Sequence, residues 1–340
     1  MTLSDLVPPD SLAADGQFSA MQDAAAEMRA AHDATVLVPL SHLSRLRVDG
    51  DDAQDFLHNL LTQDVKGLAT DAVRFAGFCS PKGRLLAAFT MWREGSATVL
   101  QLPAALAEPM RKKLSMYVLR AKATVVDVSA DRPALGLAGK DARAALQAAG
   151  LPLPAAPMTQ ASADDVHVLQ LAGDRFEIVL PAGRLAALWP ALAAHATPAG
   201  SPAWRWFDIR DGFASVWPQT QEEFVPQMVN FELTGGVNFK KGCYPGQEIV
   251  ARMQYLGKLK RRMYRAQADG DVVPPGTPVY GSDTNDQACG VVVDAVPGTD
   301  GGTDLLVVVQ MSSVEAGAVR LGSASGTTLR FVELPYPLAG

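Results

Sequence analysis

Two stretches of this chain repeat the element order strand, helix, strand, strand, helix, and that repetition constrains the fold more than any single residue does. From 43 to 48 the apolar residues alternate as in a half-buried strand, and Gly50 ends it. Asp51 reads as the cap of a helix whose apolar stripe is Ala53, Phe56, Leu57, Leu60 and Leu61. Strands are expected at 73–79 and 84–92 around the turn Ser80-Pro81-Lys82-Gly83, with another at 98–102. Pro103 then opens a helix carrying Leu106, Met110, Leu114, Tyr117 and Val118 on one side, and 123–128 closes the set. A weaker copy follows: a strand at 134–138, an alanine-rich helix at 140–149, paired strands at 167–171 and 175–180, and a helix at 183–195. The order predicts an α+β protein with two related ferredoxin-like sheets, each with helices on one face.

The flanks differ in texture. Residues 1–35 are polar and alanine-rich, as in a loose arm or a peripheral helix. After Leu256, short β-prone runs at 262–268, 278–281, 288–296, 304–311 and 328–332 alternate with Gly/Pro turns, which predicts a small antiparallel barrel. The expected organisation is an arm over 1–35, an α+β region over 36–130 completed by 200–255, a second α+β domain over 131–199, and the barrel over 256–340.

Composition excludes several function classes. A formal charge of -6 gives no general attraction to nucleic acid or anionic membrane. No apolar run approaches the roughly 18 residues of a membrane span. The first thirty residues carry Asp5, Asp10, Asp15, Asp23 and Glu27 and have no signal-peptide pattern, so a cytoplasmic location is expected. The three cysteines, Cys79, Cys243 and Cys289, are odd in number and far apart, which argues against a disulfide framework. The five histidines stand at no metal-ligand spacing, so no metal site is expected from this chain alone. Walker and GxGxxG loops are absent as well.

One segment stands out chemically. Cys243 follows Lys240-Lys241-Gly242 and precedes Tyr244-Pro245-Gly246-Gln247-Glu248, with a helix expected from 247 to 255. Cations and a helix N-terminus favour a thiolate. The plain alternative is a small buried hydrophobe, the commonest use of a free cysteine. No histidine lies nearby in sequence to activate it as a nucleophile. Gln247, Glu248 and Arg252 stand where they could shape a ligand site. The basic residues from Lys258 to Arg265 fit a solvated face, a pocket for an anionic tail, or phosphate contacts. The segment 204–251 also holds Trp204, Trp206 and Trp217, which are core residues on the simplest view. If the first two lie on a strand they share a face, and one could line a pocket for a flat heterocycle.

Phe239-Lys240-Lys241-Gly242-Cys243-Tyr244-Pro245-Gly246-Gln247-Glu248-Ile249-Val250-Ala251-Arg252 closely resembles the signature of the YgfZ family of folate-binding proteins, relatives of the glycine-cleavage T-protein, an aminomethyltransferase. The likeness extends to Trp204 with Asp208-Ile209-Arg210-Asp211-Gly212-Phe213, to Phe224-Val225-Pro226-Gln227 and Asn230, to Leu61-Thr62-Gln63-Asp64-Val65, to Lys82-Gly83-Arg84, and to Leu334-Pro335-Tyr336. It implies a T-protein-like ring of three domains around a folate site, two of them interleaved α+β domains and the last a β-barrel. It also implies tetrahydrofolate, or a one-carbon derivative of it, as cofactor, and a role supporting iron–sulfur enzymes, among them one that methylthiolates tRNA.

Carried over by position, the family's lysine and cysteine fall on Lys241 and Cys243, and the folate-stacking tryptophan falls on Trp204. A second folate contact falls at Leu43, which is not aromatic. In the aminomethyltransferases an acidic pair follows the turn matching 80–84, and its aspartate orients the folate amine. Here those positions read Leu86-Ala87-Ala88, which cannot do so. The reading is therefore a folate-binding accessory protein for iron–sulfur enzymes or their assembly proteins, with Cys243 reactive and Lys241 its electrostatic partner. Two alternatives accompany it: a one-carbon transferase that recruits Asp49 or Asp64, and a non-catalytic scaffold that contacts tRNA through the basic residues of 240–265.

Overall fold

The computed structural model of the protein describes residues 1–8, 12, 13 and 15–338; residues 9–11 and 14 of the expected arm lie outside the described residues. Within that arm, α1 (Ala24–Asp33) forms because Asp23 caps it, its carboxylate accepting from the amides of Ala25 and Ala26. β1 (Thr35–Pro39), which is wholly buried, and β2 (Leu43–Asp49), which is partly so, follow. Helix α2 (Ala53–His58) is shorter than its apolar spacing predicts, since Leu60 and Leu61 lie past its last turn although they stay buried. Strands β3 (Arg74–Cys79) and β4 (Leu85–Glu94) flank the expected turn, and β5 (Ala97–Pro103) leads into α3 (Ala104–Val118). Leu106, Met110 and Leu114 are the buried face of α3, while Tyr117 is exposed. Strand β6 (Thr124–Asp127) ends this part.

The second copy runs through β7 (Ala134–Gly139), α4 (Ala142–Ala148), β8 (Thr159–Ala163), β9 (Val166–Gln170), β10 (Arg175–Val179), α5 (Leu185–Ala193) and β11 (Thr197–Pro198). Two helices separate it from the last strands: α6 (Ser201–Asp211) and α7 (Gln247–Tyr255), the second with the bounds that its sequence predicts. Next come β12 (Arg261–Ala268), β13 (Pro278–Gly281), β14 (Ala288–Pro297), β15 (Thr303–Gln310), α8 (Met311–Glu315), β16 (Val319–Leu321) and β17 (Arg330–Val332).

The strands form three sheets, ordered β11-β1-β7-β10-β9-β8, β3-β4-β5-β2-β6 and β16-β13-β14-β15-β12-β17. β1 pairs with β7 over five residues, so the strand at 35–39 belongs to the sheet built mainly from 134–198. β8, which has few apolar residues, pairs with β9 at its edge. In the last sheet, Leu321 donates to Thr327 O and Leu329 donates to Val319 O, so the approach to β17 bonds back to β16 and the sheet curls round its apolar core.

By internal contacts the chain divides into two units. The first comprises 1–57, 65–74 and 89–204, and the second 58–64, 75–88 and 205–340. In the first, Leu37, Leu135, Leu137, Phe176 and Ile178 pack with Leu146, Leu185 and Leu188 of α4 and α5. In the second, Val279, Val292, Leu305 and Val307 centre the barrel. No helix among the described residues is long and apolar enough to cross a membrane, and no group of metal-ligating side chains occurs among them.

Candidate functional site

Cys243 lies in the second unit on an irregular segment pinned on two sides. On the first side is the short piece 58–64. Thr62 is fully buried; its N–H donates to Gly77 O at 2.9 Å, its hydroxyl donates to Gly236 O at 2.6 Å, and its carbonyl accepts from Asn238 N–H at 2.9 Å. The Lys241 ammonium completes the tie by donating to the carbonyl oxygens of His58 and Leu61, the latter at 2.8 Å. Burial pulls this ammonium down to about 8, against the opposing pull of Asp64 and Cys243. It also lies 4.8 Å from the centroid of the buried Tyr244 ring, a cation–π contact.

The second side is a contact between two glycine turns. Gly246 takes φ +78 as the residue before α7, and a Cβ there would lie 2.4 Å from Ser80 O and 2.6 Å from Gly83 Cα. Gly83 in turn takes φ +69, and its Cβ would lie 2.9 Å from Ile249 Cβ. Arg84 anchors the same turn by donating to Glu223 O at 2.6 Å. The Pro-Gly sequence after the cysteine and the Lys-Gly-Arg sequence after β3 are therefore the two halves of one contact.

Cys243 itself is exposed, so the buried-hydrophobe alternative does not hold for it. It does hold for Cys79 and Cys289, which are 1% and 0% exposed, and burial pushes the Cys79 thiol up to about 12. Helix α7 buries Val250 and exposes Glu248 and Arg252, whose four-residue spacing puts them on one face, with Gln247 half-buried before them.

One neighbour of Gly242 in this segment was not visible in the sequence. The imidazole Nε2 of His58 lies 3.7 Å from where a Cβ on Gly242 would stand. Its Nδ1 is 3.1 Å from Asp64 Oδ1. No local pattern announces this, because 184 residues separate His58 from Gly242.

The other expected site residues lie in the first unit. Leu43 is a half-buried residue at the start of β2. Trp204 is on α6, a helix rather than a strand, so it does not share a face with Trp206. It is 1% exposed, lies where any Cβ on Gly136 would be 2.4 Å from its ring, and has the Arg175 guanidinium 4.2 Å from its centroid. Its ring is core and offers no open face for stacking. Trp206 and Trp217 are also buried, and Trp206 Nε1 donates to Asp304.

The basic run is divided as well. Arg262 is buried against Glu232 and Asn230 at 2.8 and 2.9 Å, and Arg265 lies 3.6 Å from Asp304, while Arg252, Lys258 and Lys260 remain exposed. Leu86, Ala87 and Ala88 are buried strand residues with no carboxylate to offer. Of the two carboxylates that a transferase could recruit, Asp49 pairs with Arg47 and Asp64 with His58.

Comparison with known proteins identifies the family and the fold. The GCVT N-terminal domain family matches residues 11–241. A tRNA-modifying protein YgfZ of Cronobacter sakazakii is 30% identical over 308 residues, 89% of this chain and 93% of that one. A protein of the same description from Edwardsiella ictaluri is 29% identical over 316 residues, 91% of this chain and 95% of that one. Among solved structures, the glycine cleavage system aminomethyltransferase T of Bartonella henselae superposes with a TM-score of 0.78 at 19% identity, covering 95% of this chain and 92% of that one, a likeness of fold.

Proposed function

The chain belongs to the YgfZ family, among proteins with the GCVT N-terminal domain, and on that premise we propose that it is a tetrahydrofolate-binding accessory protein of the cytoplasm. In this reading it supports the assembly or repair of iron–sulfur enzymes, those that modify tRNA among them, with Cys243 as its reactive group. The observation that carries the reading is the exposed thiol on a backbone held by Lys241, Thr62 and the paired glycine turns. Such rigidity suits a group that must meet a partner in one geometry.

Tetrahydrofolate, when bound, supplies a reduced pteridine that carries one-carbon groups. The polar face of α7 fits it: Glu248 and Gln247 can accept from ring N–H groups, and Arg252 can pair with a carboxylate. Trp204 does not fit as a stacking platform, since its ring is covered by Arg175 and Gly136. The buried alanines of β4 and the pairing of Asp49 and Asp64 favour a binding role over aminomethyl transfer.

Calorimetric titration with tetrahydrofolate tests the folate half. Saturable binding in the micromolar range, weakened by Glu248→Ala and Arg252→Ala, is expected. No heat at high micromolar ligand would remove folate from the reading.

A further inference from the structure

We infer that the cavity at the C-terminal end of α7 is a further ligand site, one that takes a flat heterocycle with a 2-amino-4-oxopyrimidine edge and an anionic group, as a guanine nucleotide carries. Its lining residues lie within the second unit and outside 239–252, so it goes beyond the site used in the proposed function.

The cavity measures about 540 Å³, inside the range of roughly 300–1,000 Å³ usual for small-molecule sites. Two of its lining side chains are buried acceptors that lack a donor. Gln227, on the short 3-10 turn Pro226–Val229, is 2% exposed. Its Nε2 donates to Val250 O at 2.8 Å and reaches Gln254 Oε1 at 3.5 Å, so turning the amide round would set oxygen against oxygen. Its own Oε1 has no partner. The Glu232 side chain is 9% exposed; Oε1 accepts from Arg262 Nη1 at 2.8 Å, and Oε2 has no partner. A buried acceptor left unpaired is costly, and two of them at one cavity call for a ligand that brings the donors.

The surroundings select the kind of donor. Arg262 already neutralises Glu232, and Lys258 lines the same cavity, so an ammonium ligand would meet like charge. The missing partners are therefore neutral N–H groups. The apolar walls are Leu233, Met253, Leu259 and Met311. Thioethers pack well against aromatic rings, and unbranched methionines shift readily to admit one to the covered oxygens. Neutral N–H donors side by side on a flat ring describe the ring N–H and 2-amino group of guanine. Lys258, exposed where α7 has ended, supplies the charge for a phosphate. A pterin has the same donor edge, and folates carry carboxylates, so the shared chemistry has two sources.

The test is calorimetric titration of the full chain with guanosine monophosphate, inosine monophosphate and guanosine. Saturable binding of guanosine monophosphate is expected. The inosine nucleotide lacks the 2-amino donor and should bind about tenfold more weakly, because a buried acceptor stays unpaired. Guanosine, without the phosphate, should also bind more weakly. Glu232→Gln keeps the size of the side chain and an oxygen for Arg262 but turns the free acceptor into a donor; it should weaken the guanine nucleotide by about tenfold. Lys258→Ala, a change at an exposed position that does not threaten folding, should remove the advantage of the nucleotide over guanosine.

Tetrahydrofolate, titrated into wild type and Glu232→Gln, separates the two sources. Weaker binding to the variant assigns the cavity to the pteridine; unchanged binding, with the guanine nucleotide bound as expected, assigns it to nucleotides. Equal affinity for the guanine and inosine nucleotides would overturn the inference. So would the absence of heat with millimolar guanosine monophosphate together with tetrahydrofolate binding that Glu232→Gln leaves unchanged. In that last outcome tetrahydrofolate still binds, so failure of the cavity is distinguishable from failure of the proposed function.

Discussion

The cysteine segment and the tryptophan helix α6 carry the two most conspicuous residues of the family signature, yet physically they are opposites. Cys243 is exposed on a loop immobilised by backbone hydrogen bonds and glycine turns. Trp204 is 1% exposed, with an arginine across its ring and a glycine strand beneath it. A conspicuous residue type is thus no guide to its role. Trp gains most from burial and is drawn into cores, whereas a small thiol held out on a rigid backbone gains nothing there and is free to react.

That contrast is breakable in stages. The largest effect is expected for Trp204→Ala, which should cost about 3–5 kcal/mol in chemical denaturation by emptying a core position. A loss under about 1 kcal/mol would mean that the ring is not core. Gly246→Ala comes next, at about 1–3 kcal/mol, because φ +78 and a carbonyl at 2.4 Å both oppose a side chain. Its alkylation rate at Cys243 should change as well, since the turn holds the thiol segment; unchanged stability would show that the two turns do not meet as described.

A smaller effect depends on pH. Lys241 holds its proton only up to about 8 in the folded chain, against the ordinary 10.5. Between these values the unfolded chain binds a proton that the folded chain has released, so stability should rise with pH across that window relative to Lys241→Met. A constant difference between the two proteins from pH 7 to 10.5 would contradict the burial of this ammonium. The smallest stability changes belong to Glu248→Gln and Arg252→Gln, within about 0.5 kcal/mol, because both side chains are exposed on α7. Their effect should appear in tetrahydrofolate binding instead.

The parts of the molecule legible in the sequence are those with local causes. Helix α7 starts at a glycine in the left-handed region and ends where its apolar spacing stops, so both bounds can be read directly. The turn between β3 and β4 and most barrel strands are announced by Gly and Pro in the same way. The departures are non-local. β1 joins a sheet whose other strands begin about a hundred residues later, and β8 is an edge strand with little apolar pattern. The segment around Trp204 could be read as a strand, but it is a helix whose aromatic residues are buried on more than one side. The approach of His58 to Gly242 was invisible because only the fold brings position 58 to that segment. The same folding divided the basic run, placing Arg262 and Arg265 beside carboxylates and leaving Arg252, Lys258 and Lys260 in solvent.

The most direct test is complementation by Cys243→Ala in cells lacking the wild-type protein, with the activity of an iron–sulfur enzyme as the readout and protein level and thermal stability measured alongside. The account predicts a protein as stable as wild type, because the exposed sulfur contributes no core packing, together with loss of the enzyme's activity. Full restoration of that activity by Cys243→Ala would contradict the claim that this thiol is the working group of the molecule.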